Sequence, residues 1–145
     1  MTAANTRLRG GGGVDGAVHA AAGRRLLQAS LALAPRLPGR AVITEAFDLV
    51  PVRWVIHAVR PISRGPEDAA TLASAYTHSL ARADEVGATS VAVPFISTGA
   101  YGYPLAEAAT VSMQALRGSV TAVESVLLVA FSSQVQELWK QALQA

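Results

Sequence analysis

Ala3-Ala4-Asn5, followed by Gly10-Gly11-Gly12-Gly13-Val14-Asp15-Gly16-Ala17-Val18-His19, decides how this chain is read. An amide side chain, four consecutive glycines and a lone carboxylate lie within a few residues of one another. Glycine lets a backbone turn, and approach a ligand, where a side chain would collide. The run from Val14 to about Ala34 is alanine-rich and free of proline, as expected of a helix, with Gly23 a candidate break. A helix starting directly behind glycines turns its free N–H groups on a ligand, which suits phosphate. Residues 1–13 themselves read as loop.

Working outward, a second loop has the same character: Phe95-Ile96-Ser97-Thr98-Gly99-Ala100-Tyr101-Gly102-Tyr103-Pro104. It follows an apolar strand-like run, Ser90 to Pro94, and Pro104 opens a helix reaching about Leu116. In open α/β sheets, ligands bind at that end of the strands. Ser97 and Thr98 offer hydroxyls, Gly99 and Gly102 allow close backbone approach, and Tyr101 a flat face or a phenol. A pyrophosphate fits between this loop and Gly10–Gly13, held mostly by backbone N–H groups. Neither loop carries the Walker or dinucleotide fingerprint.

The remaining elements alternate. Ala41 to Thr44 and Val52 to Val59 read as strands. Pro66-Glu67-Asp68 starts a helix on which Leu72, Ala75, Tyr76, Ser79, Leu80 and Ala83 recur at helical spacing up to Gly87. Ser125 to Phe131 is the last strand, and Ser133 with Gln136 forms a capping-box pattern ahead of a final helix. That order implies parallel strands covered by helices. With 145 residues, 51% of them apolar and 15% charged, one domain spanning 1–145 is expected.

A net charge of +2 falls short of a nucleic-acid patch, although six arginines from Arg7 to Arg40 gather loosely in the first third. There is no cysteine, so disulfides and thiolate chemistry are excluded. No apolar run reaches the roughly 18 residues of a membrane span, and no signal-peptide core is present; the expected setting is cytoplasmic. His19, His57 and His78 show no metal-ligand spacing and read as structural. Trp54, Trp139 and Tyr76 read as core or core edge. Phe131, at the ligand edge of the sheet, suits stacking on a purine about as well as plain core. Asp15 at a helix N-terminus is expected to hold a depressed pKa, hence a carboxylate at neutral pH that anchors a water. A nearby phosphate would raise that pKa and make it a better base. Asn5 reads either as a turn cap or as a donor and acceptor for a sugar hydroxyl.

These residues resemble the macrodomain family, and within it the MacroD-type ADP-ribosylhydrolases and O-acetyl-ADP-ribose deacetylases. Residues 2–19 look like the family's Asn-Ala-Ala-Asn and Gly-Gly-Gly-Gly-Val-Asp-Gly-Ala-Ile-His. Residues 43–49, 55–61 and 96–104 look like its Ile-Thr-x-Gly-Phe-x-Leu, Val-Ile-His-x-Val-Gly-Pro and Ile-Ser-Thr-Gly-Val-Tyr-Gly-Tyr-Pro. The resemblance implies a three-layer α/β/α fold with a mixed, mostly parallel sheet. It implies that Asn5 orients a distal ribose and that Asp15 positions or activates a water. Gly11, Gly12, Gly13 and Val14 would line the ribose and phosphate. Ser97, Thr98, Gly99, Ala100, Tyr101 and Gly102 would wrap the diphosphate, and Phe131 would stack on adenine. The implied reaction is hydrolysis of an ester on the distal ribose, acetyl or protein Asp/Glu, with no metal and no cofactor.

Several positions depart from the family pattern. Thr2 stands for its first Asn, Ala46 and Arg60 for glycines, Phe95 for an alanine and Ser132 for an acid. Arg60 would be strained if its backbone kept a positive φ, and Phe95 would narrow the pocket. The family's first two strands and short helix, with an adenine-recognising aspartate, have no counterpart, so an N-terminally shortened macrodomain is expected. Its partners would be ADP-ribose, an ADP-ribosylated protein or O-acetyl-ADP-ribose, not a membrane, and exposed strand edges would favour self-association. The alternatives are a non-catalytic ADP-ribose-binding module and a degenerate macrodomain with impaired binding; a nucleic-acid binder ranks last.

Overall fold

A computed structural model of the chain describes residues 1–62, 68–96 and 103–145. The elements run β1 (Thr2–Ala4), α1 (Gly13–Ala22), α2 (Arg24–Leu31), β2 (Ala41–Glu45), β3 (Trp54–Val59), α3 (Asp68–Glu85), β4 (Ser90–Val93), α4 (Leu105–Gly118), β5 (Ser125–Leu128) and α5 (Ser133–Gln144). Among the described residues the strands form two sheets, β1-β3-β2 and β4-β5. β1 runs parallel to β3 with Thr2 opposite His57, Ala3 opposite Ala58 and Ala4 opposite Val59. β2 is antiparallel to β3, and β4 is parallel to β5. The mixed sheet and its covering helices agree with the expected α/β class.

One hydrophobic core runs under both sheets. Ile56 and Ala58 of β3 join it from one side, Val91 and Val93 of β4 from the other, with Leu72, Ala75 and Tyr76 of α3 between them. All six periodic positions of α3 that the spacing assigned inward are buried. α3 packs on β2, β3 and α4, which ties the two sheets together. Tyr76 is the pin of that arrangement. Its hydroxyl donates to the Pro94 carbonyl at 2.7 Å and accepts from the Ile96 N–H at 3.2 Å. Burial pushes the phenol up to about 12, so it stays protonated and keeps donating.

Three expectations need correction. Residues 2–4 are a strand, not loop, because they complete the ladder on β3. The last strand ends at Leu128 rather than Phe131, with one further ladder bond from the Val129 N–H to the Val93 carbonyl. The cap of α5 is Ser132, whose hydroxyl accepts from the Val135 N–H at 3.2 Å, rather than Ser133. Phe95 turns into the core, edge-on to Trp139 with ring centroids 4.7 Å apart. Gly23 does split the first helix, with φ at 88°. Pro66 and Glu67 lie outside the described residues.

Replacing Tyr76 with Phe removes both polar links and leaves the Pro94 carbonyl and Ile96 N–H without them. A loss of about 1–3 kcal/mol is expected, read as a lower urea midpoint with an unchanged m-value.

Candidate functional site

β1 delivers the chain to Asn5 at the C-terminal end of the ladder. From there the loop is held from within. The Asn5 Nδ2 donates to the Gly10 carbonyl at 2.9 Å, and its Oδ1 accepts from the N–H groups of Arg7 and Arg9 at 3.1 and 3.4 Å. Leu8 takes a left-handed conformation (φ 53°) that a leucine adopts only under constraint. The constraint is visible: its side chain is buried with Ala4, Val42 and Val59, and the Ser30 hydroxyl donates to its carbonyl at 2.6 Å. At the far end, a Cβ on Gly16 would overlap the Gly11 carbonyl oxygen, so the loop closes on α1 only with glycine there. α1 begins at Gly13 behind Gly12, with no side chain capping it. Its first N–H groups are therefore not spent on a cap.

Asp15 sits in the first turn of α1 and is buried. Its Oδ1 accepts from the Thr2 hydroxyl at 3.0 Å and lies 3.6 Å from the His19 Nε2. The dipole argument predicts a depressed pKa, and the structure reverses it. Burial raises the Asp15 carboxyl above its ordinary value, and the Thr2 hydroxyl, His19 and Arg60 only partly offset that. A macrodipole contributes at most about 2 kcal/mol in favourable geometry, whereas burying a carboxylate costs more.

His57 is fully buried on β3 beside this group. Thr44 gives its hydroxyl proton to the Glu45 carbonyl, so its oxygen is free to accept from the His57 Nε2 at 2.9 Å. Among the described residues Nδ1 has no hydrogen-bond partner. Burial, aided by His19 and the chain's amino group, lowers the His57 pKa to about 4, so the ring is neutral at pH 7. Asp15, His19 and His57 each offer one donor atom, all within 4.8 Å of one another. One carboxylate and two imidazoles is a donor set that suits a transition-metal ion. Sequence spacing gave no hint of it, because His57 arrives through the β1–β3 register. Thr2, His57 and Arg60 are the residues that sequence reading missed as neighbours of Asp15. Arg60 carries no positive φ, so the strain considered for it is absent.

A cavity of about 430 Å³ faces the glycine loop, with Arg9 and Arg24 on its rim and Gly10, Gly11 and His19 along it. Phe131 stands 72% exposed and lines a separate cavity of about 380 Å³ with Trp139 and Lys140. The two share no lining residue. Ser97, Thr98, Gly99, Ala100, Tyr101 and Gly102 lie outside the described residues, so the structure brings together Asn5, Gly11, Gly12, Gly13, Val14 and Asp15 but leaves Phe131 apart from them.

This geometry coincides with a known class. The Macro domain family model matches residues 1–112, and the chain belongs to that family. An O-acetyl-ADP-ribose deacetylase of Klebsiella pneumoniae is 43% identical over 152 residues, covering 99% of this chain and 86% of the relative. The Oceanobacillus iheyensis macrodomain with ADP superposes with a TM-score of 0.86 at 36% identity, covering 99% of this chain and 80% of that one. The Trypanosoma brucei macrodomain in complex with ADP-ribose gives 0.86 at 31% identity, covering 97% and 61%.

The buried histidine sets an acid limit on stability. Its folded pKa lies below the unfolded value, so its contribution is complete above about 6.5 and is lost as pH falls towards about 4. Asp15, raised by burial, acts in the opposite sense: its cost is present at neutral pH and is relieved on protonation. His57→Gln is expected to lose stability at pH 7 yet flatten the decline between pH 6.5 and 4, followed by chemical denaturation across that range. The wild-type decline from His57 is about 3 kcal/mol at most, from the linkage of 1.36 kcal/mol per pKa unit.

Proposed function

We propose that this chain binds ADP-ribose and hydrolyses an ester on its distal ribose. The ester is either acetyl or the link to an Asp or Glu side chain of a modified protein. The observation that carries this reading is the buried Asp15 on the uncapped start of α1, directly behind Gly10–Gly13. The unspent N–H groups of α1 suit the ligand's phosphate. Arg9 and Arg24, which line the cavity beside Gly10 and Gly11, suit a diphosphate, and exposed Phe131 suits a purine face. Ser97 to Gly102 would complete the diphosphate grip.

In the reaction, a water oxygen attacks the acyl carbon while Asp15 accepts a water proton. The bond from acyl carbon to ribose oxygen then breaks, and that oxygen leaves with a proton. A carboxylate raised by burial is a stronger base than an exposed one. Thr2 holds one carboxylate oxygen, which leaves the other for the water.

A second reading, a binding module without turnover, has one observation in its favour. Both ends of the Asn5 amide are committed to its own loop, which leaves less of it for orienting a ribose.

Calorimetric titration with ADP-ribose, followed by an ester-hydrolysis assay, separates the two. Asp15→Ala should lose about 10²-fold or more in turnover while keeping ADP-ribose affinity within a few-fold. Binding without turnover that depends on Asp15 leaves the module reading, and a folded sample that does not bind ADP-ribose sinks both. Thr2→Val removes the hydroxyl that favours the Asp15 carboxylate, so the acid limb of the pH–rate profile should move to higher pH.

A further inference from the structure

We infer that Asp15, His19 and His57 form a binding site for one divalent ion of the zinc type, and that the loaded site silences the ester hydrolysis. Two of the ligands share a helix face. Asp15 and His19 stand one turn apart on α1, and the Asp15 Oδ1 lies 3.6 Å from the His19 Nε2. The third comes from the sheet, where the His57 ring centroid lies 6.1 Å from that of His19. One ligand atom from each residue falls within 4.8 Å of the other two.

The spacing suits a small ion. Tetrahedral zinc, with bonds of about 2.0–2.1 Å to nitrogen and oxygen, holds its ligand atoms about 3.3 Å apart. The Asp15–His19 pair is already near that distance, and the widest pair has at most about 1.5 Å to close. The orienting contacts of a metal site are present as well. A ligating histidine spends its second ring nitrogen on a hydrogen bond. His57 Nε2 donates to the Thr44 hydroxyl oxygen at 2.9 Å, which leaves Nδ1 for a ligand. That nitrogen is buried and, among the described residues, has no hydrogen-bond partner. An ion would remove the cost of leaving it unsatisfied. Thr2 orients the carboxylate in the same way, its hydroxyl donating to the Asp15 Oδ1 at 3.0 Å. His19 also lines the cavity at the glycine loop, which gives an ion a way in.

Two imidazoles and one carboxylate favour zinc-type ions over magnesium or calcium, which prefer oxygen ligands. The effect on turnover rests on the reading of Asp15 as the base. A carboxylate that shares its electrons with a cation accepts a water proton poorly, so an occupied site and hydrolysis exclude each other.

Chelator-stripped protein titrated with zinc chloride in a calorimeter should bind one ion per chain. At roughly a hundredfold excess over Kd, Tm should rise by about 5–10 °C, and magnesium chloride should produce neither effect. His19→Gln changes the most exposed of the three ligands and spares the core; it should weaken zinc at least about tenfold. In protein labelled with ¹⁵N-histidine, zinc should move the His57 Nδ1 and His19 Nε2 signals. His78, held by Ser74 and Gly39, should not respond. Zinc should inhibit ester hydrolysis with a midpoint equal to its calorimetric Kd, and chelator should restore the rate. The site is refuted if folded wild-type protein takes up no zinc, if His19→Gln binds it unchanged, or if the His57 signal stays still. Unchanged or faster hydrolysis at saturating zinc refutes the silencing. Stripped protein that hydrolyses no ester overturns Asp15 as the base instead, and calorimetry still decides the site.

Discussion

The parallel pairing of Thr2–Ala4 with His57–Val59 is the contact on which the rest of the site depends. Three residues are a short strand, yet their register sets three relationships at once. It carries the Thr2 hydroxyl to Asp15. It brings His57 within 6.1 Å of the His19 ring, centroid to centroid. It ends the ladder where Asn5 begins to organise the glycine loop. A slip of one residue would turn each β1 side chain to the opposite face and take the hydroxyl from the carboxylate.

The electrostatics follow from burial more than from net charge. Asp15 is raised, His57 is lowered and neutral, and the first N–H groups of α1 are left uncapped. Arg9 and Arg24 line the cavity beside Gly10, Gly11 and His19. Backbone dipoles at an uncapped helix start are fixed in place and need no counter-ion.

Much of this was legible in the residues. The glycine run and Asp15 located the loop and the helix behind it, and the periodicity of Leu72 to Ala83 located α3. What escaped reading has physical reasons. A three-residue strand is too short to show an alternation, so Thr2–Ala4 read as loop. The end of β5 depends on where β4 stops pairing with it, at Val93, which the strand's own residues do not reveal. The sign of the Asp15 shift depends on burial, and burial comes from β1 and β3 rather than from α1. The contacts of Thr2 and His57 with the site arise from register between segments more than fifty residues apart.

α3 packs on β2, β3 and α4, and so it spans the seam between the sheets. Asp15 belongs to the part built on β1 and β3, while Phe131 follows β5. The separation between carboxylate and aromatic ring is thus a property of how two sheets are spaced, not of any loop. The distance between carboxylate and ring is therefore set by the girth of buried side chains such as Leu72, Ala75 and Tyr76 beneath the seam.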